Sequence, residues 1–237
     1  MSKEINKKDF KIKETKAYTD IKKGYTYTIQ SYLNQHPEVK PYLTTFRFNN
    51  IPLNHSYCPY QYKFLTNLTW KFYHKVYYHL ASTLTNNITK KPYLFPITYD
   101  FLDVDHTGKT KLATFTETTI PHIHSIYLIH DKLLDKFHSH ISNQFQSITN
   151  HSSLSEHIRT IHSEPITTDL PRAVSYCSKF YDIYQARIIR DKVQYEFYHQ
   201  HPLGKNDLQI LANERKDRSS HMISSSNEEM KARFTTP

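Results

Sequence analysis

The chain has 237 residues, 38% of them hydrophobic and 14% aromatic, which is enough for one sizeable core. With 3 glycines and no G-x-x-x-x-G-K-[ST] or G-x-G-x-x-G run it has no Gly-rich phosphate loop, so any nucleotide-driven motor must be a separate protein. A formal net charge of +9 favours a polyanionic partner, and two cysteines, Cys58 and Cys177, exclude a disulfide framework or a cysteine zinc cluster.

Taken in chain order, residues 1–24 are polar and Lys-rich and predict a basic, flexible arm. They lack an apolar h-region, and no later apolar run reaches the roughly 18 residues of a membrane span. The expectation is a cytoplasmic protein with no membrane contact. Residues 25–36 fit a short helix or a strand equally well. Residues 42–48 alternate and are rich in aromatic and β-branched types, which predicts a strand ended by Asn49, Asn50 and Pro52.

Residues 60–87 carry Phe64, Leu68, Phe72, Val76, Leu80 and Leu84 at intervals of four, behind Pro59, and predict a long helix. Residues 93–104 predict a second strand, with Pro96 at a bulge or edge. A turn at 106–109, a third strand over 111–117 and a fourth over 120–129 follow. Residues 131–148 predict an amphipathic helix, 150–156 a loop and 158–166 a fifth strand. Asp169 reads as the N-cap of a helix with Pro171 in its first turn. That helix is expected to run through Val174, Cys177, Phe180, Tyr181 and Tyr184. Residues 203–237 predict a polar, disordered tail. The domains expected are therefore the arm at 1–24, one domain at 25–202 and the tail. The order of elements predicts an α+β fold, a central antiparallel sheet with helices on one face.

Two segments carry chemistry. In Pro121-His122-Ile123-His124 the histidines sit either side of one isoleucine at the head of an apolar, β-branched run. On a strand, residues two apart point the same way, so His122 and His124 present two imidazoles to one metal ion. The His138 and His140 pair lies in a predicted helix, where the same spacing places the rings on different faces. The second segment is Tyr176-Cys177-Ser178-Lys179. Residues three apart on a helix share a face. A phenol with a pKa near 10 is a poor nucleophile. It can attack a phosphodiester when a cation such as Lys179 favours phenolate and a metal held by His122 and His124 polarises the phosphate. The 19 tyrosines add surfaces on which unpaired bases can stack.

With these segments in place, the chain resembles the His-hydrophobic-His endonucleases, and among them the rolling-circle replication initiators of plasmids and phages. Tyr42-Leu43-Thr44-Thr45-Phe46 resembles the family's first motif. Pro121-His122-Ile123-His124 resembles its metal-binding motif, and Tyr176-x-x-Lys179 its catalytic one, in the same order. The resemblance spans roughly residues 40–185. It implies a sheet of the RNA-recognition type and Mg2+ or Mn2+ held by His122, His124 and a third polar ligand. It also implies a catalytic Tyr176, assisted by Lys179, that cuts single-stranded DNA, forms a 5'-phosphotyrosine and leaves a 3'-OH to prime replication.

Glu117 is the first choice for the third ligand, with Asp103 and Asp105 as rivals on another strand; a carboxylate suits a hard cation. Related proteins often place that acid farther upstream, where this chain has Ala113 and Thr114. Members with two catalytic tyrosines carry the second four residues after the first. That position is Phe180 here, and Tyr181 lies about 100° further round a helix, so the chain reads as a single-tyrosine enzyme. The partners implied are single-stranded origin DNA and a host helicase and polymerase. The alternatives are a relaxase or transposase using the same chemistry, or a non-catalytic single-strand nucleic-acid-binding protein.

Overall fold

A computed structural model describes residues 16–49, 59–85, 94–104, 121–179 and 198–201. Two compact units divide the chain, Met1–Gln200 and His201–Pro237. The fold is α+β. Its helices are α1 (Lys16–Gln35), α2 (Pro59–Leu84), α3 (Leu134–Ser142), α4 (Gln146–Thr149) and α5 (Leu170–Cys177). Its strands are β1 (Val39–Phe48), β2 (Ile97–Val104), β3 (Pro121–His130), β4 (Ile158–Pro165) and β5 (Tyr198–His201). They form one five-stranded sheet in the order β4-β1-β3-β2-β5. β1 pairs antiparallel with both β3 and β4, and β2 pairs antiparallel with β3.

Strand alternation divides the residues between two faces. On one face Tyr42, Phe46, Leu102, Ile123 and Tyr127 pack against Tyr73, Tyr77 and Leu80 of α2 and against Phe137 of α3. On the other, Val39, Tyr99, Phe101, Ile126 and Leu128 pack against Ile29 of α1 and Leu170, Val174 and Cys177 of α5. Each fully buried aliphatic contributes about 1.5–3 kcal/mol. Helices therefore cover both faces, and the expectation of helices on one face is corrected. The reason lies in β3, whose His122 to Ile129 are buried without a break. A strand buried on both sides needs a layer on each.

Two further expectations change. α1 begins at Lys16, inside the stretch read as an arm, because Tyr18, Tyr25, Ile29 and Leu33 make an apolar stripe that packs against α5 and the sheet. The helix expected over 131–148 is interrupted. A 3-10 turn spans Asp131–Leu133, and Gln144 and Phe145 take left-handed φ values of 49° and 54° between α3 and α4. There Phe145 N donates to His140 O and Gln144 N to Ile141 O, the paired bonds of a Schellman ending. Phe145, wholly buried, offsets the backbone cost of a non-glycine at that position.

On α2 the buried residues are Trp70, Tyr73, Val76, Tyr77, Leu80 and Leu84. Steps of four residues drift by about 40° each around a helix. The expected stripe therefore leaves the core at Phe72 and Leu68, which are only partly buried. The third strand expected over 111–117, with Glu117, lies outside the described residues. So do Asp105, Phe180, Tyr181 and the tail.

Candidate metal and tyrosine site

Sheet register builds the site. Across the strands, Arg47 of β1 lies opposite His122 of β3, and His122 opposite Asp103 of β2. One row along, His162 of β4, Thr45 of β1 and His124 of β3 line up in the same way. By alternation all of these belong to the face that α1 and α5 cover.

His122, His124 and Asp103 are each buried almost completely. The Asp103 Oδ2 atom lies 3.2 Å from His122 Nε2 and 3.1 Å from His124 Nε2. The two Nε2 atoms are themselves 3.1 Å apart. All three potential ligand atoms lie within 4.8 Å of one another, and among the described residues no other group of His, Cys, Asp or Glu converges in this way.

The donor set fits a divalent cation. Two imidazole nitrogens and one carboxylate oxygen converge in a tight triangle that could hold a divalent cation, the imidazoles suiting a transition metal and the carboxylate a hard ion. Thr45 Oγ1 stands 2.9 Å from His124 Nδ1. In the tautomer that leaves the Nε2 lone pair free, Nδ1–H donates to this hydroxyl, which fixes the ring. Burial pushes the His124 pKa down, and the neighbouring His122 and Lys179 charges add to this against the opposing pull of Asp103. The ring is therefore neutral near pH 7, the form that ligates a metal. Burial alone would raise the Asp103 pKa, but hydrogen bonds and charge from His122 and His124 outweigh it and hold the carboxyl far below the usual range.

α5 delivers the remaining groups. Asp169 caps it, its Oδ1 accepting from Arg172 N at 2.9 Å, with Pro171 in the first turn. One side of the helix is buried through Leu170, Ala173, Val174 and Cys177. This holds Tyr176 over the site while leaving it 45% exposed. Its ring centroid lies 4.6 Å from that of His124. Lys179, just beyond the last turn, places Nζ 4.5 Å from the Tyr176 ring centroid and 2.7 Å from Asp103 Oδ2. Burial pushes the Cys177 thiol pKa up, so this cysteine packs rather than reacts.

The structure thus brings together His122, His124, Tyr176 and Lys179 with one of the two rival acids, Asp103. Parity in the sequence sets Asp103 apart from Asp100 but not from Asp105, and the β2–β3 register, which puts Asp103 opposite His122, singles it out. Asp103 shares its face with Tyr99 and Phe101, whereas Asp100 points to the other face and binds Tyr73 and Thr98. Thr45 and Arg47, also unassigned from the sequence, become legible only once β1 is placed beside β3. Against protein-family models, curated proteins and solved structures the chain gives no match.

Proposed function

We propose that this chain is a metal-dependent enzyme that nicks and rejoins single-stranded DNA through Tyr176, in the manner of a rolling-circle replication initiator of a plasmid or phage. The observation that carries the reading is the contact between a half-exposed tyrosine ring and a buried two-histidine, one-carboxylate cluster.

Asp103, His122 and His124 would hold the cation, which supplies positive charge to polarise a phosphodiester when bound. Thr45 orients His124. Tyr176 Oη forms a bond to phosphorus as the bond to the 3' oxygen breaks. The phenol proton passes to solvent and the 3' oxygen takes one up as 3'-OH. Lys179 places a positive charge beside the Tyr176 ring, next to where negative charge gathers as the bond to phosphorus forms. Arg47, exposed and across from His122, is placed to meet a neighbouring phosphate. Rejoining is the reverse displacement, a 3'-OH attacking the phosphotyrosine. The net charge of +9 supports binding of the strand. On this reading a host helicase unwinds the duplex and a host polymerase extends the 3'-OH.

The test is incubation of the full chain with single-stranded oligonucleotides and Mn2+, followed by denaturing electrophoresis. A band of protein joined to DNA is expected, lost in Tyr176→Phe and in EDTA. Binding of single strands without any such band would favour a non-catalytic binding protein.

A further inference from the structure

A cavity of about 550 Å³ opens on the β1–β4 side of Tyr176, away from β2 and Asp103. Its size falls within the usual range for a small-ligand site, roughly 300–1,000 Å³. Tyr176 and Thr45 both line it, and both also touch His124. Cavity and cluster therefore share a wall formed by these two side chains.

The lining has a consistent plan. Leu43, Pro165, Ile166 and Ala173 give apolar walls, to which the Tyr176 ring adds an aromatic one. Arg172 and His162 supply a cation and an imidazole, and Glu164 and Asp169 supply two carboxylates, Asp169 being already engaged by Arg172 N as the cap of α5. Register places Glu164 beside Leu43 and His162 beside Thr45. Arg172 lies one helical turn before Tyr176, on the same side of α5. Glu164 would repel a phosphate, so the cavity is not a backbone-phosphate site. Apolar walls and one aromatic ring beside both donors and acceptors suit an unpaired base. Its faces stack and its edge is read by hydrogen bonds.

The geometry points to a base-recognition pocket in which one unpaired base of a DNA strand stacks against Tyr176 and is read by Arg172 and Glu164. The pocket rests on the proposed single-strand chemistry for its substrate, since it lies one shared wall from the triad. It makes the site selective for the base flanking the phosphate that Tyr176 meets.

The experiment selects strands from a random single-stranded DNA pool with the full chain in EDTA, so that binding is read without cleavage. Wild-type protein is expected to enrich one base at one position. Arg172→Ala and Glu164→Gln, both at exposed side chains, are expected to lower that enrichment about tenfold while other preferences stay. An abasic site at that position should weaken wild-type binding, and should weaken Arg172→Ala binding less, because only the stacking on Tyr176 and the Glu164 contact remain to be lost there. An unselective wild-type protein, or variants that keep the wild-type preference, overturns the pocket. The enriched oligonucleotide with Mn2+ tests the chemistry separately. A covalent adduct formed without base preference removes the pocket and keeps the nicking reaction. Base preference without an adduct keeps the pocket and removes the reaction.

Discussion

Asp103 is the hinge of the cluster, and Asp103→Asn isolates its charge from its shape. The carboxylate is wholly buried, and one oxygen, Oδ2, meets His122, His124 and Lys179 at 3.2, 3.1 and 2.7 Å. Asparagine keeps the volume but presents a neutral amide to an ammonium and two imidazoles. Removing one partner of a fully buried ion pair costs about 3–5 kcal/mol. Lys179, however, has a side chain 37% exposed and can turn its ammonium to water. What remains is the loss of buried hydrogen-bond partners, about 1–3 kcal/mol. Urea denaturation in EDTA is expected to show a loss in that range. Titration calorimetry with Mn2+ should show a larger effect, because Asp103 is the one anion among the three ligands. The affinity should fall by more than the roughly 10–100-fold typical of losing an outer partner. A variant as stable as wild type that binds Mn2+ with unchanged affinity would refute this reasoning.

Three further outcomes follow from the same contacts. Thr45→Val removes the hydroxyl 2.9 Å from His124 Nδ1, and Mn2+ affinity measured by calorimetry should fall about 10–100-fold. Tyr73→Phe is the control on the opposite face. The Tyr73 hydroxyl, pushed to a high pKa by burial and by Asp100, donates to Asp100 Oδ1 at 2.5 Å and accepts from Ser125 Oγ at 2.9 Å. Its loss should cost about 1–3 kcal/mol in urea denaturation and leave Mn2+ affinity unaltered; a change in affinity would contradict the two-face account. Burial also lowers the pKa values of His79, His124 and His140. The unfolded chain then binds protons first as pH falls through the ordinary histidine value near 6.5, so stability present above that pH is lost below it. Melting followed by circular dichroism should give a lower Tm at about pH 5.5 than at about pH 7.5, and an unchanged Tm would count against the burial of these rings.

What the sequence reveals about this molecule follows from which physical rule acts locally. The shared face of His122 and His124 needs only the period of a strand, and Asp169 with Pro171 marks the start of α5 by local capping chemistry. Asp103 is harder to read, because its role depends on the β2–β3 register, which joins residues about twenty positions apart. Thr45, Arg47 and His162 need the pairing of β1 with both β3 and β4. α1 was hidden because its apolar stripe is threaded with lysines, whose charges read as a solvated arm until Tyr18 is seen bonded to Ser175 O of α5. The break at Gln144 and Phe145 leaves no glycine or proline as a marker, since the cost of the left-handed backbone is met by burying a phenylalanine.

Mapping the covalent link tests the central claim most directly. Wild-type chain is incubated with a single-stranded oligonucleotide and Mn2+, digested with nuclease and protease, and examined by tandem mass spectrometry. The account predicts one nucleotide-bearing peptide, with the added phosphate on Tyr176. A nucleotide on any other residue, or no linked peptide in a sample whose DNA has been cut, would contradict it.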